Sequence, residues 1–291
     1  GYNPSQPVTR AALSDMTTTD IITGDCLDVL PLLPARSVKL VCTSPQYPGQ
    51  MGNGQSVGEW LRWLGHVARQ LRPILAPAAV VALNIAFKRT ADGWHDTRLW
   101  MGVPATLEAA ELRCLDVYVW HKTNGAQNGP LTYADAPGYE LVFVYTNAQR
   151  PGDVAFTPQR KPYAPKSISA GGSARIGNGR TKQPNGDGAR QTNVIALPTV
   201  ASDGRRPRAR GVSFPLELPA RFIRQYTRPG DLVLDFCAGV GTTCRAAQAL
   251  GRRSIGIELD VAEAEAARVW LAEPVQVGLW SVDSAAEVLH E

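Results

Sequence analysis

The chain predicts an α/β fold on a mostly parallel sheet, and three observations carry that expectation. Apolar runs of strand length, such as Ala79 to Leu83, are interspersed with helical stretches such as Glu59 to Leu71. One apolar run, Leu232-Val233-Leu234, ends in Asp235 and passes through Gly239-Val240-Gly241 into a segment of good helix formers, Thr242 to Leu250. Another, Ser37 to Cys42, ends in Thr43-Ser44-Pro45-Gln46-Tyr47, at the strand end where open α/β sheets place their chemistry.

Taken in order, residues 1–15 begin at Gly1, are rich in polar residues and read as the remnant of an expression tag, with Met16 as the natural start. Leu27 to Leu33 reads as a short helix. Between Tyr47 and Glu59 the glycine-bearing stretch Pro48 to Ser56 reads as a mobile lid or an idle surface loop. Glu59 to Leu71 carries Trp60, Leu64, Val67 and Leu71 at helical spacing and is expected to stop at Pro73, with its tryptophans in the core. Pro104 is placed to open a further helix, and Leu115 to Trp120 pairs with Tyr139 to Tyr145 as a hairpin. The chain contains no internal repeat.

The strand, glycine turn and helix at residues 232–250 form a ligand-binding pattern, because glycines let the backbone approach a ligand and a helix N-terminus offers unpaired N–H groups. The next apolar stretch, Ser254 to Ile257, ends in Glu258, seventeen residues after Gly241, where a carboxylate can accept from both hydroxyls of a ribose. A dinucleotide site shares much of this pattern but wants a third glycine where Cys244 stands, and Asp235 beside the turn would repel a pyrophosphate. A cofactor with an amino acid and a sulfonium cation, S-adenosylmethionine, suits the acid-flanked turn better. The competing reading is an ordinary tight turn.

In the other segment, the Ser44 hydroxyl and the Pro45 carbonyl are two acceptors that could face the hydrogens of an exocyclic amine. Such an amine is a poor nucleophile, because its lone pair is delocalised into the ring. Acceptors on its hydrogens favour the tetrahedral nitrogen that attack requires. Pro45 restricts the backbone around that carbonyl, and Tyr47 offers a face on which an extruded base can stack.

These residues resemble the DNA amino-methyltransferases, which methylate cytosine N4 or adenine N6 and carry an acid/Ser/Asn-Pro-Pro-aromatic motif. Thr43 to Tyr47 looks like the catalytic motif, and Asp235 to Thr243 looks like the cofactor motif. The catalytic motif comes first in the chain, as in the circularly permuted class beta. Gly24-Asp25 resembles the family's site for the cofactor adenine, and Phe214-Pro215 its segment over the methionine end. The resemblance implies a Rossmann-like, S-adenosylmethionine-dependent methyltransferase fold with a mostly parallel seven-stranded sheet, a C-terminal-side antiparallel hairpin and a basic target-recognition insertion. Ser44, Pro45 and Tyr47 are the implied catalytic residues. Implied cofactor residues are Asp25, Cys26, Thr43, Phe214, Pro215, Asp235, Phe236, Gly239, Gly241, Thr242, Thr243, Glu258 and Leu259. Residues 16–146 form the catalytic half, 147–211 the insertion, 212–273 the cofactor half and 274–291 a tail. Two positions depart from the family: Gln46 replaces the second proline, and Arg210 to Ser213 stands where a histidine often precedes the Phe-Pro segment.

Charge supports a nucleic-acid partner. Residues 147–211 hold twelve Lys or Arg against three Asp, a local charge of +9, which leaves −5 for the remainder of a chain whose net charge is +4. The bland reading is a solvated loop, and the glycine-rich part from Gly171 to Gly188 is expected to be disordered without a partner. The resemblance makes it the reader of double-stranded DNA, with Lys122, Asn124, Arg160, Lys161, Arg175, Arg180, Lys182, Arg205 and Arg206 as candidate contacts. Five cysteines without paired spacing and the lack of an export signal point to a reducing cytoplasm, bacterial or phage-encoded, with no membrane span. Four scattered histidines give no metal site.

The expectation is direct methyl transfer to a flipped-out base, without a covalent enzyme–base intermediate, because no Pro-Cys nucleophile motif is present. Cytosine N4 comes first, since the serine form of the motif is more typical of that subgroup. Adenine N6 is the alternative, followed by an RNA base methyltransferase or a noncatalytic DNA-binding module. A homodimer and a cognate restriction endonuclease stay open as partners.

Overall fold

The computed structural model describes residues 19–48, 54–86, 96–123, 138–161, 189–199 and 213–275, with side chains at all of them but 161, 189 and 190. Ten strands are formed: β1 (Thr19–Thr23), β2 (Val38–Thr43), β3 (Leu75–Ile85), β4 (Arg113–Lys122), β5 (Tyr139–Thr146), β6 (Arg160–Lys161), β7 (Ala189–Arg190), β8 (Val194–Leu197), β9 (Leu232–Asp235) and β10 (Arg253–Glu258). The helices are α1 (Cys26–Val29), α2 (Val57–Ile74), α3 (Arg98–Ala109), α4 (Glu217–Tyr226), α5 (Thr242–Ala249) and α6 (Val261–Ala272).

Eight strands make one sheet in the order β1-β10-β9-β2-β3-β5-β4-β8, and β6 pairs with β7 separately. The five strands from β1 to β3 are mutually parallel, and only β5 runs against its neighbours. Alternate residues of the central strands feed two cores, as a pleated strand requires. Val81 and Leu83 of β3 with Leu232 and Leu234 of β9 face α2 and α3, where Trp60, Leu64 and Val103 are buried. Val80, Ala82 and Val233 face α4 and α5, where Phe222, Ile223 and Ala246 are buried.

Several elements differ from the sequence-based expectation. The seven expected strands gain an eighth, β8, drawn from the basic insertion and paired in parallel with β4. An edge strand's unpaired N–H and C=O groups recruit such a segment. Helix α2 runs past the expected stop, with Pro73 in its final turn and the Leu75 N–H closing on the Leu71 carbonyl. Proline forfeits its bond to the Arg69 carbonyl there, and the burial of Leu71 and Ile74 on either side holds the turn in place. Helix α3 starts at Arg98, six residues before Pro104, which lies in its interior. Burial of Leu99, Val103 and Leu107 along one face outweighs the missing hydrogen bond. The expected helix from Leu27 divides into α1 and a 3-10 turn, Leu30–Leu32, containing Pro31.

Candidate active site

β9 and β2 lie side by side and parallel, while the chain continues from β9 toward β10 and from β2 toward β3. Loops leaving the two strands therefore diverge at one edge, and a crevice opens between them. A cavity of about 520 Å³ occupies it. Two segments almost two hundred residues apart in sequence meet there, and the Thr243 hydroxyl donates to the Cys42 carbonyl at 3.1 Å across the join.

The glycine turn forms one wall. Gly239 and Gly241 have φ of +52° and +84°, in the left-handed region that glycine enters without steric cost. Glu258, at the end of β10, accepts from the Gly239 N–H at 2.7 Å and from the Asp260 N–H at 2.9 Å. Asp235 is 2% exposed, and burial pushes its carboxyl up to about 6, opposed by the Cys237 N–H, which donates to it at 3.1 Å. Burial moves Glu258 upward as well. Asp25, at the end of β1, caps α1 by accepting from the Leu27 N–H at 2.8 Å. The cavity is lined by five carboxylates, Asp25, Asp235, Glu258, Asp260 and Glu263, and by no Lys, Arg or His among the described residues. That wall suits a cation and opposes a pyrophosphate.

Ser44, Pro45, Gln46 and Tyr47 form the facing wall. Ser44 Oγ and Tyr47 Oη lie 2.8 Å apart, and Tyr47 donates to the Asn84 carbonyl at 3.3 Å. Burial, with the negative charge of Glu140, holds the Tyr47 phenol well above its ordinary value, so it is a neutral hydroxyl. Trp60, 1% exposed, donates its indole N–H to the Gln46 carbonyl at 2.8 Å. This bond restrains the loop where a second proline was expected.

Among the expected cofactor residues, Asp25, Cys26, Phe214, Asp235, Phe236, Gly239, Thr242, Glu258 and Leu259 line the cavity. Thr43, Pro215 and Thr243 are buried behind it. Gly241 supplies the turn into α5. Ser213 Oγ lies 2.7 Å from Thr242 Oγ1 and ties the Phe214-Pro215 segment to the glycine turn. Sequence reasoning passed over Trp63, Asp260 and Glu263, which also line the cavity, and Asn84 behind it, while Gln55 belongs to the expected lid and Glu140 to the expected hairpin. A polar Asn84 near the end of the apolar β3, and Glu140 before Leu-Val-Phe-Val, were available signals.

Of the candidate DNA contacts, Lys122 turns inward, its Nζ 2.6 Å from the buried Glu140 carboxylate, because that carboxylate needs a partner. Arg160 is exposed on β6, beside the backbone of Lys161. Asn124, Arg175, Arg180, Lys182, Arg205 and Arg206 lie outside the described residues, as do the first fifteen residues, the glycine-rich stretch 171–188 and the centre of the expected lid. One described stretch of the insertion, 189–199, is tied down: Arg221 donates to the Thr192 carbonyl at 3.2 Å and Trp120 Nε1 to the Leu197 carbonyl at 3.1 Å.

Comparison with known proteins agrees with this geometry. The chain is 24% identical over 252 residues to the type II methyltransferase M.BglII of Bacillus subtilis, a match covering 82% of this chain and 65% of that protein's length. Its fold is similar to the PvuII DNA methyltransferase, cytosine-N4-specific, with a TM-score of 0.65 and 17% identity over 94% of this chain and 93% of that one. The M1.HpyAVI complex with SAM gives 0.58 and 18% identity over 88% of this chain and 100% of that one. A family profile described as DNA methylase, of the N6/N4 type, matches residues 38–268. With most of its length in that match, the chain belongs to the N6/N4 DNA methylase family.

Proposed function

We propose that this protein is an S-adenosylmethionine-dependent DNA methyltransferase acting on an exocyclic base amine, cytosine N4 in first place. The observation that carries this reading is a cavity with five carboxylates on one wall and Ser44, Pro45 and Tyr47 on the other. A cofactor bearing a sulfonium and an ammonium group fits the first wall, with Asp235, Glu258, Asp25, the Gly239 turn and Phe214 as the residues that hold it. When bound, S-adenosylmethionine supplies an electrophilic methyl group.

The facing wall handles the base. Tyr47 stacks against a nucleotide turned out of the duplex, and the Ser44 hydroxyl and Pro45 carbonyl accept from the two amine hydrogens. Those acceptors draw the nitrogen lone pair out of conjugation and stabilise the positive charge that grows on nitrogen. The amine proton then leaves to solvent, and transfer is direct. Serine at position 44 and the fold shared with a cytosine-N4-specific enzyme favour cytosine. Adenine N6 presents the same pair of hydrogens and is the alternative acceptor.

Double-stranded DNA is the substrate, read by the basic insertion. The type II relative supports a restriction–modification setting in a bacterial cytoplasm, with a cognate endonuclease as partner and a homodimer as a candidate assembly. Two sets of variants test the two walls. Ser44→Ala is expected to lower turnover by about 10²-fold or more while leaving cofactor affinity intact. Asp235→Ala and Glu258→Ala are expected to weaken cofactor binding in calorimetry. Undiminished turnover in the first, or unchanged affinity in both of the others, contradicts the reading.

A further inference from the structure

Behind Ser44 and Tyr47 lies a chain of buried polar groups that the proposed transfer leaves unexplained. Glu140, near the start of β5, is 7% exposed, and Asn84, next to the last residue of β3, is 4% exposed. The Glu140 carboxylate is held at both ends, by Lys122 Nζ at 2.6 Å on Oε1 and by Asn84 Nδ2 at 2.6 Å on Oε2. The same Asn84 nitrogen lies 3.3 Å from Ser44 Oγ and 3.4 Å from Tyr47 Oη. A buried ion pair adds little net stability, because desolvation cancels most of its attraction. Its position one residue removed from the Ser44–Tyr47 pair points to the site.

A carboxylate can only accept, so Glu140 obliges Asn84 to present its amide N–H group rather than its carbonyl. Asn84 is then a donor toward Ser44 and Tyr47. With Asn84 donating and the Tyr47 proton directed to the Asn84 backbone carbonyl, the Ser44 proton goes to the Tyr47 oxygen 2.8 Å away. One lone pair of Ser44 Oγ is left for the cavity, where the base amine enters.

We infer that Glu140 is a positioning residue: by accepting from Asn84 it holds Ser44 Oγ in place with a lone pair toward the target amine, and Lys122 compensates its buried charge. This rests on the reading of Ser44 as an acceptor for that amine. The negative charge of Glu140 also favours the protonated Tyr47 phenol, which the ordering of the hydroxyls needs.

The test compares two double variants, both without the ion pair. Lys122→Met with Glu140→Gln keeps an acceptor for Asn84, whereas Lys122→Met with Glu140→Leu removes it. Both are assayed with unmethylated phage DNA and labelled S-adenosylmethionine, alongside Ser44→Ala in the wild-type background, with melting temperature and cofactor affinity measured on each. The Leu variant is expected to lose at least about tenfold in kcat relative to the Gln variant, the scale of a small misplacement of reacting groups, at unchanged KM for the cofactor. Lys122→Met is common to both, so any effect of that residue on DNA cancels. Equal kcat in the two double variants, with Ser44→Ala impaired, overturns the role of Glu140 and leaves that of Ser44 standing. Full turnover in Ser44→Ala overturns both.

Discussion

At the scale of single residues, Asp235 links cofactor binding to pH. Its carboxyl sits at about 6 in the folded protein against an ordinary value of 3.8, because burial penalises the charge. Between those values the folded chain binds a proton that the unfolded chain has lost, so the stability this gives is shed as pH rises through that window. A cation in the cavity favours the ionised form and reverses the balance for the complex. S-adenosylmethionine affinity should therefore weaken as pH falls below about 6, by up to about tenfold per pH unit, with Glu258 adding to the same slope. Calorimetry between about pH 5 and 8 measures this, and a flat profile would remove Asp235 from the cation site. Trp60→Phe removes the N–H that restrains Gln46. It should cost about 1 kcal/mol, read as a lower melting temperature, together with slower turnover. Gln46 had no explanation in the sequence, because the bond that replaces proline's stiffness comes from a helix fourteen residues on.

Among the elements, the strand, glycine turn, helix, strand and acid at residues 232–258 were legible because each step is a local choice of residue. One part of that pattern needed the structure. A dinucleotide fold places its third glycine on the helix, where this chain has Cys244, yet the close helix–strand approach is made here through Gly256 on β10. A Cβ at Gly256 would lie 2.5 Å from Ile21 Cδ1, 2.9 Å from Ala238 Cβ and 3.0 Å from Cys244 Sγ. Gly256→Ala should destabilise the fold by about 1–3 kcal/mol, as overpacking does. A melting temperature equal to wild type would show that the contact relaxes freely. The eighth strand and the true start of α3 were not legible, since each depends on partners far along the chain: β4 for Val194–Leu197, and the packing against α2 for Arg98–Ala109. The Glu140–Lys122 pair was not legible for the same reason, since its two residues meet only when β4 and β5 lie side by side.

For the whole molecule, charge is divided between an acidic cavity and a basic insertion. The insertion's +9 is the part that can match phosphates, while the cofactor wall would repel them. DNA affinity should accordingly fall steeply with salt, by roughly 10³-fold between about 50 and 200 mM if six or more phosphates are matched, as fluorescence anisotropy would report. Cofactor affinity, set inside a partly closed cavity, should change far less. Circular permutation leaves the architecture intact because the sheet order, and not the chain order, brings β9 and β2 together. The central claim is transfer of a methyl group to a base amine. Its most direct test is to incubate the protein with unmethylated DNA and labelled S-adenosylmethionine, digest to nucleosides and identify the labelled product by mass spectrometry. N4-methylcytosine is the predicted product, and N6-methyladenine would keep the chemistry while moving the acceptor. Label on carbon 5 of cytosine, or no labelled nucleoside at all, would contradict the account.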